Sequence, residues 1–283
     1  MSNNIHGFGD FSSVGKVDIQ SSNSYSSQDD KIFQTSLYKM SSVTFFLLVI
    51  NISIYVFQLF SFYSYFVKNK NSWSCLLITY GAFQAGKIKN HHQYYRFFTS
   101  MALHSSMAHM GSNSLSLFFL GFQTENELNS KIQFLLLYII SGLSGNFMSL
   151  LFNINSISVG ASGAIIGLCG NFVIYFLLNY RRMGTRKKYS YGILFLFLFI
   201  NLFSGLSEGG ENINMACHIG GFLGGFAYSI ILAYKDNYNL KNNNSFARRL
   251  YYYSICFLIL LPLISTGFIA YKKVLNSTDY ICK

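Results

Sequence analysis

The sequence predicts an all-α membrane protein in which about seven helices cross the bilayer. Of its 283 residues, 51% are hydrophobic and only 11% are charged, whereas soluble domains carry about 25% charged residues. Apolar stretches of about 20 residues, long enough to span a bilayer, recur along the chain. The single proline is also typical of a chain built largely from long helices.

The predicted elements follow one another from the N-terminus. Residues 1–42 are rich in Ser and Asn and predict a disordered cytosolic tail. The connector 67–97 contains the apolar piece "WSCLLITYGAF", which is too short to span and is expected at the membrane interface. A flexible linker is predicted at 235–250, and 251–283 holds the last span and a short tail. The candidate spans are 43–66, 98–121, 132–152, 160–179, 189–204, 215–234 and 251–271.

The net charge of +11 is concentrated in the connectors. Basic residues in the connectors of a membrane protein favour the cytosolic side, and we expect no binding of nucleic acid. The basic connectors after the fourth and sixth spans therefore predict a cytosolic N-terminus. The connector 67–97 then faces outside, although it also carries basic residues.

The five cysteines have no metal-ligand spacing, and they indicate neither a zinc site nor a disulfide scaffold. We expect no metal and no organic cofactor.

Four polar side chains inside the predicted spans are candidates for a functional site. They are His104, His109, Ser162 and His218, and each lies towards the N-terminal end of a span. Because the second, fourth and sixth spans run in the same direction, all four side chains are expected at the same outer depth. A lone histidine could be a packing residue, but ionisable groups in a membrane are costly and usually functional.

Small residues on the fourth and sixth spans could bring Ser162 and His218 together. Gly163 and Gly167 in one span, and Gly221 and Gly225 in the other, have the four-residue spacing that permits close helix packing. A serine becomes a good nucleophile when a base takes its proton. No Asp or Glu lies within a span to complete a triad, so a Ser–His dyad is predicted.

Hydrogen-bond donors for an oxyanion are predicted from two sources. Ser162 lies in the first turn of its helix, where backbone N–H groups lack intrahelical partners. His109 and Asn113 are four residues apart and share one helical face. For Asn113, an interhelical hydrogen bond is an equally good explanation.

These residues resemble the rhomboid intramembrane serine proteases over about half of the chain, from Tyr80 to Gly225. "GASG" at 160–163 resembles the G-x-S-G nucleophile motif, and "CHIGGFLGG" resembles the helix of the catalytic histidine. "RFFTSMALHSSMAHMGSN" is similar to the segment between the outer loop and the second span. The resemblance implies that Ser162 is the nucleophile and His218 the general base. His109 and Asn113 would bind the oxyanion, with supporting roles for His104, Gly160, Gly163 and Gly221.

The resemblance also implies the architecture and the activity. The fold would be a six-helix transmembrane core at 43–234 with one extra C-terminal helix, as in secretory-pathway members of the family. Substrates would be single-span membrane proteins, cleaved in or near their transmembrane helix in a secretory, plasma or secretory-organelle membrane. Two positions depart from the family: Tyr95 replaces a Trp, and Ile166 replaces an aromatic residue that packs on the catalytic histidine.

Two other functions remain compatible with the sequence. An inactive rhomboid relative could bind or escort membrane proteins, although such relatives usually lack Ser or His of the dyad. A proton-coupled transporter could use the three histidines, and its flux would then be indifferent to the replacement Ser162→Ala.

Overall fold

A computed structural model describes the chain in seven segments, and these segments are helical. The segments are 42–66, 72–128, 130–152, 156–185, 187–193, 214–236 and 245–271. Their only β-type pairing is an isolated antiparallel bridge between Phe83 and Ser158. The predicted all-α class is confirmed. The predicted tail 1–42, apart from its last residue, lies outside the described residues, as do residues 237–244, half of the predicted linker 235–250.

Nine helices have assigned bounds within the described segments, besides the helical residues 187–193. They are α1 (Ser42–Ser61, continued by a π-helical turn, Phe62–Phe66), α2 (Trp73–Thr79), α3 (Ala85–His91), α4 (Arg96–Thr99), α5 (Met107–Glu127), α6 (Lys131–Phe152), α7 (Ser162–Asn179), α8 (Met215–Asp236) and α9 (Ser245–Tyr271).

Five of these helices, α1 and α6 to α9, are long and apolar enough to cross a membrane. Helix α5 has 21 residues, but its sequence is more polar. Residues 187–193 are helical at the start of the predicted fifth span, and the rest of that span lies outside the described residues. The helices support a multi-pass integral membrane protein.

The centre of the bundle is formed by α6, α7 and α8, which pack on one another. Backbones approach closely where α7 meets α8: a Cβ at Gly221 would collide with the carbonyl oxygen of Gly163, and one at Gly225 with that of Gly167. Small residues at this spacing permit such an approach. The glycine pattern therefore does bring these two helices together.

Short helices form the described part of the connector between α1 and α5, from residue 72 onward. The buried guanidinium of Arg96 donates through Nη1 to the carbonyl oxygens of Ile78, at 2.9 Å, and Ala82, at 2.7 Å. Thr99 Oγ1 donates to the carbonyl of Gly81, whose φ of 101° suits glycine. This connector is thus a folded segment that packs against the core rather than a loose loop.

Helix α1 is attached to the bundle by polar contacts near both ends. At its N-terminus the Glu125 carboxylate accepts hydrogen bonds from the backbone N–H of Val43 and from both the N–H and hydroxyl of Thr44. Near its C-terminus, the Gln58 amide makes a reciprocal pair of hydrogen bonds with the backbone of His104. These contacts fix the register of α1 against α5 and the loop before it.

Three expectations about the elements need correction. The span predicted at 98–121 is not one helix, because α4 ends at Thr99 and α5 begins at Met107, after a polar loop. The seventh helix begins at Ser245, six residues before the predicted 251, because helical hydrogen bonds continue beyond the apolar stretch. The cysteines were not expected to form a disulfide scaffold, but one of them, Cys75, is disulfide-bonded.

Candidate active site

The segment before α7 places Ser162 at the first position of that helix. Ser158 pairs with Phe83 through two backbone hydrogen bonds of 2.9 and 3.0 Å, and the N–H of Gly160 donates to the carbonyl of Ser100 at 2.9 Å. Gly160 has a φ of 124°, a conformation that L-residues with side chains rarely adopt. The connector between α1 and α5 therefore holds the turn that leads into Ser162.

His218 lies in the first turn of α8, which is capped by Asn214. The Oδ1 of Asn214 accepts from the N–H of Cys217 at 3.1 Å, and its Nδ2 donates to Ser149 Oγ on α6 at 2.8 Å. This cap fixes the start of α8 relative to α6. It therefore also fixes where the His218 side chain leaves the helix.

The structure brings the two predicted dyad residues into contact. Nε2 of His218 lies 2.9 Å from Oγ of Ser162, within the reach that a nucleophile and its base require. Nδ1 of His218 is buried, and no described residue bonds to it. The pair therefore stands without a carboxylate partner in the part of the chain that is described.

His109 and Asn113 both face the turn that precedes Ser162. Ser106 caps α5 by accepting from the N–H of His109, while Nδ1 of His109 lies 2.8 Å from Ser105 Oγ. A Cβ at Gly160 would lie 2.8 Å from Nε2 of His109 and 3.5 Å from Nδ2 of Asn113. That amide nitrogen of Asn113 is buried without a hydrogen-bond partner among the described residues.

His104 lies near the site but not on α5, where the sequence analysis placed it. It belongs to the loop before the helix, and its side chain is fully buried. Its ring stands edge-on to His109, at 5.4 Å between centroids, and to Tyr55, at 6.4 Å. Neither ring nitrogen has a partner among the described residues. His104 is therefore adjacent to His109.

The supporting glycines have distinct positions. Gly160 leaves room for the imidazole of His109, whereas Gly163 and Gly221 meet at the contact of α7 with α8. A Cβ at Gly163 would also lie 2.8 Å from Sγ of Cys217. Both kinds of contact require a residue without a side chain.

Several residues that organise the site were missed by sequence reasoning. The Nδ2 of Asn146 donates to the carbonyl of Phe97 and to Ser100 Oγ, so α6 supports the loop that holds Gly160. Ser105 and Asn214 orient His109 and α8. An Asn just before a helical stretch is a recognised N-cap signal and could have indicated Asn214. The partners of Asn146 and Ser105 depend on tertiary contacts.

Tyr95, which departs from the family pattern, retains an aromatic contact with the neighbouring arginine. Its ring centroid lies 5.5 Å from Cζ of Arg96, and its hydroxyl donates to Gln93 Oε1 at 3.1 Å. Gln93 Oε1 also accepts from Nε of Arg96 at 2.7 Å. The ring at this position therefore still helps to enclose the buried guanidinium.

The described segments contain no group of three or more His, Cys, Asp or Glu side chains able to hold a metal ion. The arrangement instead offers a hydroxyl, an imidazole and a set of hydrogen-bond donors. It resembles an acyl-transfer site rather than a metal centre.

Comparison with known proteins identifies the family. The model of the rhomboid domain matches residues 91–235. The chain is 35% identical over 192 residues to RHOMBOID-like protein 2 of Arabidopsis thaliana, covering 66% of this chain and 59% of that protein. It is 28% identical over 244 residues to rhomboid protease GluP of Bacillus subtilis, covering 86% of this chain and 43% of that protein.

A third relative is matched over more of its own length. The putative rhomboid protease YdcA of Bacillus subtilis is 35% identical, over 50% of this chain and 69% of that protein. The chain spans about half the length of three plant relatives, at 59%, 41% and 42% of each. The matched region, 91–235, contains Ser162, His218, His109 and Asn113. The chain therefore belongs to the rhomboid family.

Proposed function

We propose that this protein is an intramembrane serine protease that cleaves single-span membrane proteins with Ser162 as nucleophile and His218 as general base. The observation that carries the proposal is the 2.9 Å separation between Oγ of Ser162 and Nε2 of His218. The rhomboid proteases among the relatives lend independent support. We also propose the organisation inferred from the sequence, with a catalytic core at 43–234.

In the proposed reaction, Nε2 of His218 takes the proton from Ser162 as Oγ attacks a peptide carbonyl. The resulting tetrahedral intermediate collapses when His218 returns the proton to the leaving amine, which leaves an acyl-enzyme. Water, activated by His218, then hydrolyses the ester. Each step needs one residue that alternates between base and acid, and an imidazole bonded to the attacking hydroxyl satisfies that need.

The negative charge on the intermediate would be stabilised by donors around Gly160. The first N–H groups of α7 lack intrahelical acceptors, and Nδ2 of Asn113 is buried without a partner. If the Ser105 hydroxyl donates to Nδ1 of His109, the neutral ring carries its proton on Nε2, which faces Gly160. Donors that are already in place are worth about 3–4 kcal/mol each in such sites.

The setting of the site supports a substrate that comes from the bilayer. Ser162 and His218 lie in the first turns of helices that are apolar enough to span a membrane. A substrate helix must unwind locally before its carbonyls are open to attack, because helical hydrogen bonds protect them. We place the N-terminus in the cytosol from the basic connectors, and we assign the protein to the membranes of the secretory pathway or to the plasma membrane.

The proposal is tested by co-expression with a tagged single-span reporter. Ser162→Ala and His218→Ala should each abolish cleavage, and the double variant should be no worse than either, because residues that act as a unit are not additive. Ser112→Ala serves as the control, since its exposed hydroxyl bonds only to the backbone of α5 in the structure. Normal turnover by Ser162→Ala would refute a serine protease.

Labelling separates loss of chemistry from loss of folding. A fluorophosphonate probe should react with the wild type and with Ser112→Ala but not with Ser162→Ala. An inactive relative that escorts its clients would give a different pair of results. The reporter would bind without being cleaved, and the probe would not label the folded wild type.

A further inference from the structure

Helix α9 presents one buried stripe to the rest of the bundle. Its buried residues are Ser254, Leu261, Ser265 and Ile269, and spacings of seven and four residues place them on one face of a helix. The helix packs on α6 and α8, with a smaller contact to α3. The stripe therefore runs along the bundle and ends, at Ile269, beside the connector between α1 and α5.

The last turn of α9 is joined to this connector by a hydrogen bond and by an apolar contact. Nζ of Lys89, in α3, donates to the carbonyl oxygen of Ala270 at 3.1 Å, and a lysine near the C-terminus of a helix also complements the helix dipole. Ile269, which is 6% exposed, is buried in one cluster with Ile88 of α3 and with Phe83.

Phe83 links this cluster to the site. Its side chain is 1% exposed and belongs to the cluster of Ile269. Its backbone N–H donates to the carbonyl of Ser158 at 2.9 Å, and its carbonyl accepts from the N–H of Ser158 at 3.0 Å. Ser158 precedes Ser162 by four residues, with the turn at Gly160 between them. A displacement of Phe83 would therefore move the chain that leads into Ser162.

We propose that the last turn of α9 positions the nucleophile, because Ile269 supports Phe83 and Phe83 holds the turn before Ser162. Ile269 is a positioning residue that acts through Phe83. The proposal rests on the proposed role of Ser162 as nucleophile. The family model matches residues 91–235, so it does not include α9, and this role is inferred from the contacts of this chain.

The contacts also determine which kinetic constant should change. The turn that Phe83 holds places both Oγ of Ser162 and the first N–H groups of α7, which lack intrahelical acceptors. These groups act on the reacting carbonyl. Loosening the turn should therefore lower kcat and the intrinsic reactivity of Ser162, while KM for a reporter changes little.

The test compares two truncations of buried α9 side chains in the full-length protein. Leu261, at 7% exposed, is buried as well as Ile269, but it lies eight positions earlier, or about 12 Å along the helix. Ile269→Ala should lower kcat by about 10–10²-fold, since a misplacement of about 1 Å can cost ~10² in rate. The rate of fluorophosphonate labelling should fall with it. Leu261→Ala should lose similar thermal stability but keep both rates, when all are measured well below thermal unfolding.

Wild-type kcat and labelling rate in Ile269→Ala would overturn the proposal. Equal rate losses in Leu261→Ala would do the same, because α9 would then act through general stability. Ile269→Val removes a single methyl group and decides the question if Ile269→Ala does not fold: both its rates should lie below those of wild type, and unchanged rates would overturn the proposal.

The positioning role and the proposed function fail in different experiments. Normal cleavage by Ser162→Ala refutes the serine protease itself. A wild type that requires Ser162 for cleavage, and that Ile269→Ala matches in both rates, refutes only the positioning role of α9.

Discussion

Gly221 tests whether close packing of α7 on α8 sets the geometry of the dyad. It lies three residues after His218, and a Cβ there would collide with the carbonyl oxygen of Gly163, the residue after Ser162. The obstacle is backbone, so it cannot rotate away. Gly221→Ala must therefore separate the two helices near the dyad.

The expected size of the effect follows from contact distances. Carbon and oxygen atoms approach to about 3.3 Å at the closest, so the helices must move apart by about 1 Å. The Ser162–His218 separation of 2.9 Å would then exceed hydrogen-bond reach. A misplacement of about 1 Å can cost ~10² in rate, whereas overpacking costs ~1–3 kcal/mol in stability.

The assay compares kcat/KM on a purified reporter with thermal unfolding in detergent. Gly225→Ala is the matched variant, because its Cβ collides with the backbone of Gly167 one turn further from the dyad. It should lose similar stability but less activity. Gly111→Ala, where a Cβ meets nothing within 4 Å, should match wild type. Wild-type kcat/KM in Gly221→Ala would refute the reasoning, as would equal activity losses in Gly221→Ala and Gly225→Ala.

Three further predictions concern other parts of the molecule. Asn113→Ala should lower kcat by ~10²–10³ with little change in thermal unfolding, because its Nδ2 donates to no described protein group; a parallel loss of stability would favour a packing role. Glu125→Gln should destabilise the protein by about 1–3 kcal/mol, since it weakens the acceptor of three hydrogen bonds at the start of α1, while folded enzyme keeps its kcat. In microsomes, a C-terminal extension with a glycosylation sequon should gain glycan and an N-terminal one should not; the reverse pattern would invert the proposed orientation.

The lengths of the apolar stretches predicted most of the long helices, because a helix that crosses a bilayer needs about 20 mainly apolar residues. The predicted starts and ends of α6 and α7 lie within two residues of those observed, and α8 begins where predicted at Met215. The failure at 98–121 has a local cause: the polar stretch around Ser106 caps α5, and a count of apolar residues does not detect a cap.

The proximity of Ser162 and His218 followed from glycine spacing, since only closely packed helices explain glycines on both faces. The contacts that orient these side chains were harder to predict from the sequence. Asn214 carries a local signal, but the bond from Asn146 to Phe97 joins residues 49 positions apart. The oxidation of Cys75 likewise depends on which thiols the fold brings together, and the positions of cysteines in the sequence do not reveal it.

The two polar attachments of α1 set the distance between the loop of His104 and the Glu125 end of α5. Thr44 is bonded to Glu125 and Gln58 to the backbone of His104. The 14 positions between Thr44 and Gln58 correspond to about 21 Å of helix, against a hydrocarbon core of about 30 Å. Helix α1 therefore holds this loop at a fixed distance from the Glu125 end of α5. A bilayer of another thickness would change how much lipid surrounds the site but would leave that distance constant.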